Sequence, residues 1–164
     1  MRASWSDWVK VCLIYEEWES WPSKPGVYII RASRCIPRIG GTDKTGMLYL
    51  GKASNLRSRI WSFWKAEHNA SGFLWEHRGF ARLVLDLRIL TVTDVEKCLG
   101  RLTVRYATPL YGPELARAER ALLFSYINSF GEAPPLNHSV GRRWDSEPPA
   151  QDLRWAEIGI ETGT

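Results

Sequence analysis

The hydrophobic and polar positions of this chain predict three short strands. Residues 27–30 and 47–50 are runs of apolar, β-branched and aromatic side chains bounded by glycine and proline, which is typical of strands. Residues 102–106 alternate between apolar and polar side chains and are followed by Pro109, so they form the third predicted strand. The first two strands are predicted to pair as an antiparallel hairpin, with residues 33–46 as a long connecting loop.

Apolar residues at three- and four-residue steps predict three helices, which cover residues 5–21, 54–67 and 112–130. The last helix has the clearest limits, because Gly112 stands at its N-cap, Pro113 at its first position and Gly131 just after its end. Residues 80–90 fit either a helix or a strand, and their length favours a helix.

These elements predict one domain of the α+β class, an α/β sandwich in which a small three-stranded antiparallel sheet is flanked by helices. A length of 164 residues suits a single domain. Within 1–164, the pattern separates a core at 22–137, an N-terminal helical extension at 1–21 and a C-terminal tail at 138–164.

Composition narrows the functional classes. The chain carries a net charge of +4 and nine tryptophans, a weak indication of nucleic-acid binding. Its longest apolar run, Val11–Tyr15, is too short to cross a membrane, so no membrane partner is expected. Its three cysteines lack zinc-site spacing, and the simplest expectation is a reduced, cytoplasmic protein.

Glu119 is unusual because it lies on or beside the apolar stripe of the last predicted helix, three or four residues from Leu115, Leu122 and Leu123. A carboxylate there has to be paired, protonated or bound to a cation, because burying it alone is costly. From helix geometry, the favoured partner is an arginine, namely Arg59, Arg117 or Arg120.

A second candidate feature is the junction between the second strand and the helix at 54–67. Lys52, Arg57 and Arg59 lie close to the helix start, where backbone N–H groups can bind an anion. Taken alone, these residues favour a solvated basic helix face over an anion site.

Five separated motifs follow one another in an order that resembles the GIY-YIG nuclease family, with spacing most like that of UvrC-type excision-repair endonucleases. The motifs span about two-thirds of the chain and read Gly26-Val27-Tyr28, Tyr49-Leu50-Gly51-Lys52, Arg59, Glu119 and Pro135-Leu136-Asn137. The resemblance implies the family fold and a metal-dependent endonuclease that hydrolyses phosphodiester bonds in DNA.

The resemblance also implies roles for individual residues. Tyr28 would be the general base, Tyr49 would hydrogen-bond the scissile phosphate or the attacking water, and Arg59 would bind the phosphate with support from Lys52. Glu119 would hold one divalent ion, and a single carboxylate with water ligands suits Mg²⁺ or Mn²⁺. Nearby cations would lower the tyrosine pKa. Three further positions would shape the site, namely Gly26, Gly51 and Asn137.

Other basic residues are candidates for contacts with the DNA backbone. They are Arg57 and, in the long connection, Arg34, Arg38 and Lys44. The chain has no separate DNA-reading motif, so a homodimer or a partner protein is expected to help select the target. The alternatives are a catalytically weak nucleic-acid-binding or structural module with the same fold, and RNA as the substrate.

Overall fold

The structure is a computed structural model, and it describes residues 4–68 and 101–137. The predicted helix at 80–90 and the predicted tail at 138–164 lie outside the described residues. The described strands are β1 (Ser4–Trp5), β2 (Val9–Lys10), β3 (Gly26–Ala32), β4 (Ile36–Arg38), β5 (Gly41–Asp43), β6 (Met47–Ala53) and β7 (Leu102–Thr108). The described α-helices are α1 (Ile14–Glu17), α2 (Leu56–His68) and α3 (Gly112–Phe130).

The centre of the fold is an antiparallel sheet with β3 between β6 and β7. Its three long strands contain the three predicted runs, and each is extended at one or both ends. Five successive residues of β3, from Gly26 to Ile30, are buried, because both faces of the strand are covered. The α+β class is therefore confirmed.

Each face of the sheet packs against a different helix. Tyr28 and Ile30 point to one face, where they join α2 and the turns of the N-terminal segment. Val27 and Ile29 point to the other face, where they meet α3. On that side the buried helix residues are Ala118, Leu122, Leu123 and Tyr126. The alternation of β3 thus sends neighbouring residues into two different cores.

The prediction of a three-stranded sheet was wrong, because the main sheet has five strands. The two short strands β1 and β2 both pair with β7 on the side away from β3. Between them, Ser6 donates its N–H to the carbonyl of Tyr106 at 2.9 Å and accepts the Tyr106 N–H on its hydroxyl at 3.1 Å. The N-terminal segment thereby satisfies backbone groups that an open edge would leave unpaired.

The predicted N-terminal helix over 5–21 is also wrong for most of its length. Only Ile14–Glu17 is α-helical, and 3₁₀ turns flank it at Val11–Leu13 and Trp18–Ser20. The helical spacing of its tryptophans is misleading, because Trp8 instead packs its ring under the guanidinium of Arg31, 3.7 Å from the ring centroid.

The connection predicted as a loop at 33–46 contains a small hairpin formed by β4 and β5. Asp43 ends β5 and is fully buried. Its carboxylate accepts the backbone N–H groups of Thr45, Gly46 and Met47 at 2.8, 3.2 and 3.0 Å. The hydroxyls of Thr45 and Tyr126 donate to the same carboxylate at 2.5 and 2.9 Å. The return turn into β6 is therefore held by one buried carboxylate.

Both long predicted helices are confirmed. Asn55 precedes α2 and accepts the Ser58 N–H on its side-chain oxygen at 3.0 Å, an N-cap contact. The other helix, α3, begins at Gly112 with Tyr111 at the N-cap, one residue before the predicted cap. It ends where Gly131 adopts a φ of 75°, a conformation that glycine tolerates best.

Candidate active site

Two tyrosines from neighbouring strands pack against each other over a glycine. Tyr28 on β3 lies opposite Gly51 on β6, and its ring centroid is 5.8 Å from that of Tyr49. A Cβ added to Gly51 would be 2.6 Å from Tyr49 Cε1 and 2.8 Å from the Tyr28 hydroxyl oxygen. Gly51 is therefore required sterically, because any larger residue would push the two tyrosines away.

Gly26 serves a similar purpose at the start of β3. A Cβ at this position would clash with the carbonyl oxygen of Ala107 and would lie 2.6 Å from Leu56 Cδ1. The absence of a side chain lets β3, β7 and the first turn of α2 approach closely, which fixes the backbone just before Tyr28.

The two tyrosines differ in their access to solvent. Tyr28 is 1% exposed, whereas Tyr49 is half-buried. Burial raises the pKa of Tyr28 well above the ordinary phenol value of 10.0, and the Tyr49 phenol raises it further by charge and by a side-chain hydrogen bond. Arg59 lowers the same pKa and Glu119 raises it, but burial is the largest effect. Arg59 thus lowers the Tyr28 pKa in the expected direction, but burial outweighs it and the net shift is upward.

Glu119 pairs with a lysine on β6. The ammonium of Lys52 lies 2.6 Å from Glu119 Oε2, and the two side chains are 43% and 21% exposed. The predicted arginine partner, Arg59, Arg117 or Arg120, is therefore wrong, because Glu119 pairs with Lys52. The contact joins β6 to α3 across the sheet face that carries Leu50.

Arg59 lies on the first turn of α2 and is exposed. Its charge reaches the buried phenol of Tyr28, as the electrostatic effect on that pKa shows. The Tyr28 phenol therefore lies within the influence of both Arg59 and Glu119, which come from α2 and α3. Tyr28 and Tyr49 pack against each other on the α2 face of the sheet. Glu119 contacts Lys52 on the α3 face, and its charge acts on the Tyr28 phenol from there.

The backbone at the start of α2 is already hydrogen-bonded. The N–H groups of Leu56 and Arg57 donate to the carbonyls of Lys24 and Pro22, each at 3.1 Å, and Ser58 is capped by Asn55. The predicted anion site on these N–H groups is therefore wrong. Anion binding at this helix start has to come from side chains such as Arg59.

Asn137 fastens the segment after α3 to the edge of β6. Its side-chain Oδ1 accepts the Leu50 N–H at 2.9 Å, and its Nδ2 donates to the Leu50 carbonyl at 2.7 Å. The neighbouring Leu136 N–H donates to the Leu48 carbonyl at 2.9 Å. The asparagine side chain thus satisfies both backbone groups of Leu50, as a neighbouring strand would, and fixes the backbone between Tyr49 and Gly51.

Two of the predicted DNA-contacting arginines are engaged in contacts within the protein. Arg57 donates to the carbonyls of Trp21 and Glu19, each at 2.7 Å, and so ties the N-terminal turns to α2. Arg38 pairs with Glu132 at 3.1 Å, donates to the Ala133 carbonyl and is 9% exposed. Arg34 and Lys44 are exposed on the β4–β5 excursion and carry charge toward solvent.

The donor set for a metal consists of one carboxylate. Within residues 4–68 and 101–137, no three His, Cys, Asp or Glu side chains are grouped so that they could hold an ion. A single carboxylate completed by water is an accepted Mg²⁺ arrangement. The carboxylate oxygens of Glu119 are therefore suitable ligands for Mg²⁺ or Mn²⁺. The Lys52 ammonium at Oε2 would compete with such an ion for the carboxylate.

Sequence reasoning missed the buried carboxylate of Asp43 and its partner Tyr126. Burial and Asp43 raise the pKa of Tyr126, which keeps its hydroxyl protonated as a donor. The local signal was readable, because an aspartate two residues before Thr45 and three before Gly46 is typical of a turn closed by its own side chain. The contribution of Tyr126 could not be predicted from such a local pattern, because this residue is 83 positions away in the chain.

Comparisons of the chain with family models, with curated proteins and with solved structures found no match. In the part of the chain that the structure describes, no helix is both long and apolar enough to cross a membrane.

Proposed function

We propose that this chain is a metal-dependent endonuclease that hydrolyses phosphodiester bonds in DNA, with a fold of the GIY-YIG type. The observation that carries the proposal is the packing of Tyr28 against Tyr49 over Gly51, with the charges of Arg59 and Glu119 acting on the Tyr28 phenol. These residues come from two strands and two helices. The packing of those elements does not by itself require tyrosine, arginine and glutamate at these positions, whereas a nuclease site does.

Phosphate binding is assigned to the exposed cations. Arg59 presents a planar guanidinium that can donate two hydrogen bonds to one phosphate, and its backbone is held in the capped first turn of α2. Lys52 adds a mobile point charge on β6. Arg34 and Lys44 supply sequence-independent attraction to the DNA backbone from the β4–β5 excursion.

The two tyrosines have different roles in this proposal. Tyr49 is half-buried and is therefore the hydroxyl that can contact the phosphate or the attacking water. Tyr28 is a neutral phenol because burial raises its pKa. It can act as the general base only when additional positive charge near it, such as a closer Arg59, favours the phenolate.

Glu119 is the residue that would hold Mg²⁺ or Mn²⁺. When bound, the ion would supply a Lewis acid for the charge that develops on the phosphate and the leaving oxygen. The chain contributes the carboxylate and its position on α3, and Asn137 keeps the facing strand fixed. Target recognition is assigned to a second copy or a partner protein, and the expected cytoplasmic location is part of the same proposal.

One observation favours the second candidate function, a nucleic-acid-binding or structural module without catalysis. The Lys52–Glu119 ion pair already compensates the carboxylate, so Glu119 needs no metal to be stable on α3. A module of this kind would still bind DNA through Arg59, Arg34 and Lys44.

The two functions are separated by incubating the protein with supercoiled plasmid and Mg²⁺ or Mn²⁺, with labelled RNA in a parallel reaction. We expect nicking by the wild type and a fall of about 10³-fold or more in Glu119→Gln, because the carboxylate assigned to hold the metal is lost. Glu114→Gln is the control, since it removes an exposed carboxylate from the same helix. Absence of nicking by the wild type, or full activity of Glu119→Gln, would contradict the nuclease; cleavage of RNA alone would change the substrate.

A further inference from the structure

The Lys52–Glu119 ion pair occupies the one carboxylate to which the proposed function assigns a metal. The lysine ammonium touches Glu119 Oε2 at 2.6 Å, and the residues belong to different elements, 67 positions apart. Among the described residues the other ion pair joins Arg38 to Glu132, where the arginine side chain is only 9% exposed. The Lys52 side chain is 43% exposed, so of the two cations it is the one that can leave at low cost.

We propose that Lys52 is a built-in counterion, which neutralises Glu119 and is displaced from it when a divalent cation binds. The inference rests on the proposed function, because it takes Glu119 as the metal ligand. Lys52 then has two positions, one on the carboxylate and one directed toward a DNA phosphate.

Charge repulsion favours the exchange. An ammonium at hydrogen-bond distance from a carboxylate oxygen and a divalent ion on the same carboxylate would repel each other strongly at such a separation. Lysine is suited to the movement, because its ammonium is a compact charge on a flexible four-carbon stem. The β6 backbone that carries Lys52 need not move, since Asn137 and the pairing with β3 hold this strand.

The exchange has a consequence for the order of binding. Without metal, the carboxylate and ammonium neutralise each other, so neither is fully available to solvent ions. Once Lys52 is displaced, its charge is free for a phosphate beside Arg59. By thermodynamic reciprocity, a phosphate that binds Lys52 also makes Glu119 a better metal ligand.

The test measures Mn²⁺ binding without DNA, by calorimetry at low ionic strength. Lys52→Met removes the competing charge, and we expect it to tighten Mn²⁺ binding by about three- to fivefold, the size of a solvent-exposed ion pair. Lys52→Arg keeps a competing cation and should bind Mn²⁺ about as the wild type does. Lys10→Met is the matched control, since it removes one exposed lysine from β2 and changes the net charge equally.

A second measurement follows the Lys52 ammonium in the wild-type protein, so its main readout, the response to Mg²⁺, does not depend on how the variants fold. In the NMR spectrum we expect the Lys52 ammonium signal to disappear on titration with Mg²⁺ and to be absent in Glu119→Gln. The inference is overturned if Lys52→Met binds Mn²⁺ no more tightly than Lys10→Met, or if the Lys52 signal persists at saturating Mg²⁺. In either case, loss of Mn²⁺ binding in Glu119→Gln would leave the metal role of Glu119 standing, so that only the counterion role of Lys52 is wrong. If instead Glu119→Gln binds Mn²⁺ as the wild type does, the metal role of Glu119, and with it the proposed function, is wrong.

Discussion

Asp43 and Glu119 are two carboxylates that the same fold treats in opposite ways. Asp43 is fully buried and receives hydrogen bonds from three backbone N–H groups and two hydroxyls. Glu119 is 21% exposed and contacts a single ammonium, that of Lys52. One carboxylate is surrounded by donors fixed in a turn, and the other has one partner on a flexible stem.

The difference separates a structural carboxylate from one that can bind a ligand. If a ligand bound the Asp43 carboxylate, every donor around it would lose its acceptor. Ligand binding there is therefore opposed by the lost hydrogen bonds as well as by burial. Releasing Lys52 from Glu119 returns a half-exposed ammonium to water, which costs little. A carboxylate with a single flexible partner is therefore a better candidate for binding a ligand than one enclosed by fixed donors.

The largest expected effect on stability comes from removing the charge of Asp43. We expect Asp43→Asn to lower the free energy of unfolding by about 3 kcal/mol, because an amide cannot accept all five hydrogen bonds and its NH₂ group faces other donors. Glu119→Gln makes the same chemical change on α3 and should cost less than about 1 kcal/mol. Urea unfolding followed by circular dichroism measures both, and equal losses would remove the distinction between the two carboxylates.

The fold was predictable where a periodic segment is long. The strands β3, β6 and β7 and the helices α2 and α3 all follow from apolar spacing and from breakers such as Pro109 and Gly131. The N-terminal segment was not predictable in this way, because its tryptophans repeat at helical intervals while the open edge of β7 takes up Ser4–Trp5 and Val9–Lys10 as strands. Tertiary pairing outweighed local periodicity there.

The candidate site residues follow from the motif order, whereas their contacts do not follow from the sequence. The motif order identified Tyr28, Tyr49 and Glu119, yet helix geometry favoured an arginine partner, and the pairing with Lys52 depends on how α3 lies across β6. Burial of Tyr28 likewise depends on α2 and the N-terminal turns covering its face of the sheet. Such long-range packing determines the direction of a pKa shift, and no local pattern encodes it.

Substitutions of Asn137 test whether this neutral polar side chain is structural, like Asp43, or contributes little to stability, like Glu119. We expect Asn137→Ala to lower the free energy of unfolding by about 2 kcal/mol, because two hydrogen bonds to the buried Leu50 backbone are lost. Hydrogen exchange gives a local measurement, since the Leu50 amide should exchange faster in the variant. Asn137→Asp should be at least as destabilising, because a second acceptor would face the Leu50 carbonyl. An unchanged Leu50 exchange rate would show that the asparagine does not hold β6.

The smallest expected effect concerns Tyr28, which is almost as buried as Asp43 although it belongs to the candidate site. Its folded-state pKa is raised above 10.0, so the folded protein keeps the phenol proton when the unfolded chain loses it, and stability falls as pH rises beyond 10. At pH 11 this loss is on the order of 1 kcal/mol, and Tyr28→Phe should not show it when the free energies of unfolding at pH 7 and pH 11 are compared. Tyr111→Phe, which removes a phenol that is 57% exposed, is the control and should lose as much stability as the wild type. If Tyr28→Phe also loses as much as the wild type, the Tyr28 phenol ionises as readily in the folded protein as in the unfolded chain. It would then be available as a base without any added positive charge.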